Sequence, residues 1–296
     1  MTQVAANGIQ IEYEAFGEPD SPALLLIIGI IGQLTFWDEE LCQQLAQQGH
    51  YVIRFDNRDA GLSSKIEEAG VPDIMQTIKT QMKGETIKAP YTIEDMADDA
   101  VGLLDALGIE KAHICGMSMG GMIAQTIAIN YPKRVLSLIS IYSNTGDPKE
   151  PQSESEARKF LLAPQTEERE AYIEHGIKFF SAISGPGFPY DEEWLRNFVA
   201  QSYDRAYNPE GVARQFVAIL AQKNRRPELK SLSTPALIIH GANDPLVLVE
   251  SGKNTAADIP GAELMIIDGM GHDLPHGGAW PKIIDVIADF IQKIGT

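Results

Sequence analysis

The chain has 296 residues and only two cysteines, Cys42 and Cys115. Two thiols in segments with the composition of buried structure make no disulfide framework, so a reduced, cytoplasmic protein is expected. Positive charge is also scarce. Lys and Arg number 24 against 41 Asp and Glu, a formal net charge of -17, and such a surface repels phosphate backbones and anionic lipid. Nucleic-acid and membrane partners are therefore not expected. Long apolar runs are missing: the longest, Ala23 to Ile28 with its continuation to Ile31, is interrupted by Gly29 and falls well short of the ~20 residues that cross a bilayer. The start Met1-Thr2-Gln3-Val4 lacks the basic residues and apolar run of a signal peptide. No internal repeat is visible. No GxGxxG follows the first buried strand pattern, which argues against a dinucleotide-binding use of a parallel sheet.

What the chain does contain is an alternation of strand and helix patterns. Gly8 to Phe16 alternates apolar and polar residues, as an edge hairpin with one wet face would. Ala23 to Ile28 is apolar at every position, as a strand covered on both faces should be, and it ends in the flexible loop Gly29-Ile30-Ile31-Gly32. A helix from Asp38 to Gln48 and a strand from Tyr51 to Phe55 follow, then the polar loop Asp56 to Gly61, read as a hydrogen-bonded structural loop. The signal from Ile66 to Pro90 is weak. Thr92 caps a helix that runs to Leu107. Further strands are expected at Ala112–Cys115, Val135–Tyr142, Pro235–His240 and Glu263–Ile267, with a closing helix at Pro281–Lys293. Between Val135–Tyr142 and Pro235–His240 lie only charged helical patterns: Glu154–Leu162, Glu167–Phe180, Glu192–Asp204 and Glu210–Lys223. These patterns predict an α/β fold with a mostly parallel sheet, its core in residues 1–143 and 231–296, and a helical lid over 144–230.

The most informative stretch is Ala112 to Met122, AHICGMSMGGM. A serine, Ser118, sits between Gly116 and Gly120 at a strand-to-helix turn. There the backbone is strained, the hydroxyl is pushed outward, and the residues two before and two after must be small. A strained serine of this kind predicts a carboxylate and then a histidine, each just after a later strand. Asp244 and His272 meet both conditions, with Asp147 as the backup acid.

On these motifs the chain resembles an α/β-hydrolase of the lidded esterase branch. The matching segments are GMSMGG at 116–121, HGANDPLV at 240–247, GMGHD at 269–273 and FDNRDAGLS at 55–63. Within the family it is most similar to the anthracycline methylesterase type, as in QLTFWDEEL and VIRFDNRDAGLS. The resemblance implies a mostly parallel eight-stranded sheet, Ser118 as nucleophile, His272 as general base and Asp244 as its partner. Oxyanion donors would be the backbone N–H groups of Met119 and Ile30, with Ile31 as substitute for Ile30. Family members usually carry His-Gly where this chain has Ile28-Gly29, and a backbone donor tolerates that change. The implied activity is hydrolysis of a carboxylic ester through an acyl-enzyme, a methyl ester of a hydrophobic or aromatic acid being one substrate. The alternatives are a lactone or carbon–carbon bond hydrolase using the same residues, and a ligand receptor that retains them.

No cofactor or metal is implied. His272 and His276 have HxxxH spacing, but Pro275 and Gly277-Gly278 oppose the helix that a zinc pair would need. His240 and His113 read as buried structural residues, His50 and His175 as solvent-facing. The partner is expected to be a small-molecule ester, bound in a pocket with Ile31, Phe179, Phe188 and Trp194 in its wall; a homodimer is left open.

Overall fold

The computed structural model describes residues 2–151, 153, 155–162, 166–188, 190–274 and 276–295. Met1, Glu154 and Pro275, which carried the leader, helix-start and helix-break expectations, lie outside them. Eight strands form one sheet in the order β1-β2-β4-β3-β5-β6-β7-β8: β1 Thr2–Ala6, β2 Ile9–Phe16, β3 Ala23–Ile27, β4 Tyr51–Phe55, β5 Ala112–Met117, β6 Val135–Ile141, β7 Ala236–Gly241 and β8 Glu263–Ile267. β2 pairs antiparallel with β1 and β4, and the remaining pairs are parallel. The β1–β2 turn places Asn7 and Gly8 at φ 48° and 79°, the left-handed pair that a tight hairpin turn demands.

Helices α1 Glu39–Gln47, α2 Ile74–Met82, α3 Ile93–Ala106, α4 Met119–Asn130, α5 Glu156–Leu162, α6 Arg169–Ile183, α7 Glu192–Arg205, α8 Pro209–Leu220, α9 Arg226–Leu229, α10 Val249–Asp258 and α11 Trp280–Ile294 complete the chain. Two-residue alternation along β3 divides the core into two layers. Leu25 and Ile27 join the apolar faces of α3 and α4, whereas Leu24, Leu26 and Ile28 join those of α1 and α11. On α11, Ile283, Ile284, Ile287, Phe290 and Ile291 are buried, a single stripe at helical spacing. Helix starts follow their caps. Asp38 accepts the N–H of Glu40 at 2.8 Å, and Thr92 and Asp95 form a reciprocal capping box. Helix α2 falls in the weak segment before Pro90. None of its side chains is buried, so it lacks the apolar stripe that makes a helix readable. No helix among the described residues is long and apolar enough to cross a membrane.

Helices α5 to α9 all lie between β6 and β7. Helices α6 and α7 pack on a small apolar cluster of their own around Ile173, Leu195 and Val199, and Gly176 admits Val199 so closely that an added Cβ would lie 2.6 Å from its methyl. What ties this insertion to the sheet is the polar loop after β4. Asp56 accepts the N–H groups of Leu34 at 2.7 Å and Leu62 at 2.8 Å and pairs with Arg205 at 2.8 Å. Asp59 takes a bidentate bond from Arg214, both contacts 2.8 Å, and both side chains are fully buried. Arg58 grips Asp99 of α3 in the same way, at 2.6 and 2.7 Å. The loop is thus a structural clamp, as its sequence suggested. Removing one member of a buried, hydrogen-bonded pair strands the other charge in low dielectric. Arg214→Ala is therefore expected to lose about 3 to 5 kcal/mol in urea unfolding; a loss under 1 kcal/mol would show that the pair does not hold the insertion.

Candidate active site

Ser118 stands between β5 and α4 with φ 54° and ψ -119°. That backbone is strained for any residue with a Cβ. It survives because its neighbours are bare. A Cβ on Gly116 would fall 2.0 Å from the carbonyl oxygen of Gly120, and one on Gly120 would fall 2.1 Å from that of Ile27. Helix α4 begins one residue later, and its first N–H groups have no acceptor within the helix. The N–H groups of Gly121 and Met122 turn back to the Ser118 carbonyl, at 2.9 and 3.2 Å, which leaves that of Met119 at the tip. Across from it runs the loop after β3, close enough that a Cβ on Gly29 would sit 3.1 Å from the Cβ of Ser118.

Three distant segments meet at this serine. His272 Nε2 lies 2.9 Å from Ser118 Oγ, and His272 Nδ1 lies 2.7 Å from Asp244 Oδ2. An ionised carboxylate only accepts, so the imidazole proton sits on Nδ1 and Nε2 is left to receive the serine proton. Asp244 Oδ1 accepts the N–H groups of Leu246 and Val247, both at 2.8 Å. His240 Nε2 donates to the Val247 carbonyl at 2.8 Å and stands 3.2 Å from Asp244 Oδ2. Burial opposes ionisation of this carboxyl, but His272 and His240 outweigh it and hold its pKa at about 2. His272 is also fastened from behind: its backbone N–H donates to the Ile183 carbonyl at the end of α6, at 2.8 Å.

The hydroxyl of Ser118 opens into a cavity walled mainly by apolar and aromatic side chains of the insertion and of the loop after β3. Ile30, Ile31, Phe179 and Trp194, expected near the site, all line it. Phe188 does not. It packs against the cluster that includes Trp280 and Ile283, with the Lys282 ammonium 5.8 Å from its ring centre; an aromatic residue in a loop gives no signal of which side it will cover. Residues not singled out in the sequence also contribute. Tyr190, Trp194 and Phe198 stack in a row, with ring centres 6.1 and 4.9 Å apart and planes within 10°. Tyr142, at φ 35°, lays its ring 4.5 Å from that of His272. Ile31, at φ 71°, is a β-branched residue in the left-handed region. Ile31, Ser118 and Tyr142 each follow a strand of the parallel sheet, so backbone strain gathers around the cavity.

The other histidines divide differently from their sequence reading. His175 lines the cavity and His50 is buried against His113; both were expected to face solvent. Desolvation by burial, then the neighbouring His50, lowers the pKa of His113 to about 4, consistent with a structural role beside Ser137 at 2.8 Å. His276 stacks on Trp194 and Trp280. No group of three metal-binding side chains is found among the described residues. Asp147, the backup acid, is engaged by Arg226 at 3.0 Å.

Known proteins share this architecture. The chain is 28% identical to rhodomycin D methylesterase DauP from Streptomyces sp. (strain C5) over 293 residues, 92% of each protein. It is 29% identical to 3-oxoadipate enol-lactonase 2 from Acinetobacter baylyi over 269 residues, 90% of this chain and 87% of that one. The crystal structure of the enol-lactonase from Burkholderia xenovorans LB400 superposes with a TM-score of 0.72 over 98% of this chain and all of that one, at 22% identity, a likeness of fold alone. The family model for the alpha/beta hydrolase fold matches residues 22–279. With six of the eight strands and all three site segments inside that match, the chain belongs to the alpha/beta hydrolase fold family.

Proposed function

We propose that the protein hydrolyses carboxylic esters, with Ser118 as nucleophile, and that the insertion over residues 144–230 acts as a lid on the site. The observation that carries this reading is the unbroken run of hydrogen bonds Ser118–His272–Asp244 at the mouth of an apolar cavity. A neutral hydroxyl is a poor nucleophile, so His272 Nε2 accepts the Ser118 proton as Oγ attacks the ester carbon. Asp244 steadies the resulting imidazolium. The carbonyl oxygen becomes an oxyanion facing the Met119 N–H at the head of α4 and the Ile30 N–H across from it. Collapse of the tetrahedral intermediate breaks the bond to the alcohol oxygen, which leaves with the proton from His272. Water, deprotonated by the same imidazole, then attacks the acyl-enzyme and releases the acid.

The aromatic wall and the similarity to DauP favour a small alcohol leaving from a large hydrophobic acid, that is, a methyl ester of an aromatic acid. A lactone is the second substrate to consider, because the 29% identical enol-lactonase covers 90% of the chain and a lactone passes through the same intermediate. A receptor that keeps the residues without turnover is less favoured. Among the described residues the large apolar side chains exposed to solvent are Leu62, Val71, Met75, Met82 and Leu264, none of them in the insertion where a signalling partner would dock.

Ser118→Ala is expected to cut hydrolysis of 4-nitrophenyl butyrate by about 10⁴-fold or more and to abolish covalent labelling by a fluorophosphonate at residue 118. Retention of either would overturn the assignment. The methyl ester of an aromatic acid should have a kcat/KM roughly tenfold or more above that of methyl acetate, since its ring is buried in the transition state; equal values would remove the cavity from the argument.

A further inference from the structure

Next to the imidazole lies a second carboxylate that the ester chemistry does not use. Asp273 is 4% exposed and lines the cavity. The hydroxyls of Ser184 and Tyr190 and the backbone N–H of Gly271 are turned toward it, yet none closes a hydrogen bond of normal geometry, so both Asp273 oxygens and Ser184 Oγ are buried without a close partner. A buried acid left without donors is costly, and proteins keep such groups where function needs them. The cavity's charge points one way. Asp38 and Asp273 are its carboxylates, and no Lys or Arg lines it among the described residues. The rings of Tyr190, Trp194 and Phe198 also line the cavity, and electron-rich aromatic rings favour a cation nearby.

We propose that the cavity selects substrates carrying an ammonium group on an aromatic body, with Asp273 as the counter-charge, and that it rejects anionic ones. The inference deepens the esterase reading and rests on it for the ester. The carboxylate oxygens are shut off from bulk water, so their field in the cavity is weakly screened. Burial raises the Asp273 pKa to about 7, with the nearby Asp244 charge adding to the rise and Ser184 and Tyr190 opposing it. A cation entering the cavity would pull this carboxyl toward its ionised form. Tyr142, Tyr190, Asp244 and His272 complete the titratable surroundings.

Binding can be read without turnover, because Trp194 and Trp280 line the cavity and report by fluorescence. The probes are phenyltrimethylammonium, its neutral isostere tert-butylbenzene, and benzenesulfonate. At pH 8 the cation should bind about tenfold more tightly than the isostere, with the sulfonate weakest of the three. In Asp273→Asn at the same pH the preference should fall to less than about twofold. Comparing the two proteins at a single pH isolates the carboxylate. Equal binding of cation and isostere by the wild-type protein, a preference that survives Asp273→Asn, or no binding of any probe would each overturn the proposal. A cation preference in a protein that hydrolyses no ester would sink the hydrolytic reading and leave this one standing.

Thermal unfolding gives an independent check. A carboxyl whose folded-state pKa lies above its unfolded value takes up protons on folding, so the stability it permits in acid is lost as pH rises from about 4 to about 7. Asp273→Asn should therefore raise Tm at pH 8 by about 5 °C and do little at pH 4. If the Asn variant does not fold, Asp273→Ser replaces it in the binding comparison.

Discussion

The site depends on a backbone angle. Ser118 holds φ 54° only because Gly116 and Gly120 let two carbonyl groups approach where a methyl would collide. Relax that angle and the hydroxyl leaves its place opposite His272, while the Met119 N–H turns away from the loop after β3. The strain is sustained by what surrounds it: β5 is buried at every position and α4 through Ala128, so the turn has no room to unwind. Packing energy gathered over the whole sheet is thereby used to hold one oxygen atom in position.

A second dependence runs between sheet and insertion. The loop after β4 meets α3 through Arg58, α7 through Asp56 and α8 through Asp59. Gln33, from the loop after β3, adds bonds to the Ser202 and Ala206 carbonyls at 2.7 and 3.0 Å. The root of the insertion is therefore pinned by buried polar contacts. Its outer ion pairs, such as Arg169 with Asp204 and Arg196 with Glu170, are exposed on both sides and weakened by solvent screening. Buried polar contacts therefore hold the insertion at the β4 loop, and solvent-screened pairs run along the outer faces of α6 and α7.

Much of this was readable in the chain because the informative signals are local. The elbow announces itself by two glycines around a serine, and an acid and a histidine just after strands follow from the way open parallel sheets present residues at their carboxyl ends. Loop charges at 56–59 were readable as structural, but Arg205 and Arg214, which answer them about 150 residues later, were not, since nothing local marks a long-range partner. Amphipathic patterns show that a helix has an apolar face without showing what that face meets. Phe179 and Trp194 line the cavity while Phe188 packs elsewhere, and the three look alike in sequence. Histidine is equally silent: His50 and His175 could sit in water or in the core with the same neighbours.

The bond from the His272 N–H to the Ile183 carbonyl joins the imidazole to the last turn of α6. Glycines make that junction intimate. A Cβ on Gly271 would lie 2.1 Å from the same carbonyl oxygen, and one on Gly185 would lie 2.2 Å from that of Gly269. An outward swing of α6 would drag on the histidine's own backbone and draw its ring from the serine. The short contact between His272 and Ser118 is thereby coupled to the position of α6, a helix that ends more than eighty residues before the histidine in the chain.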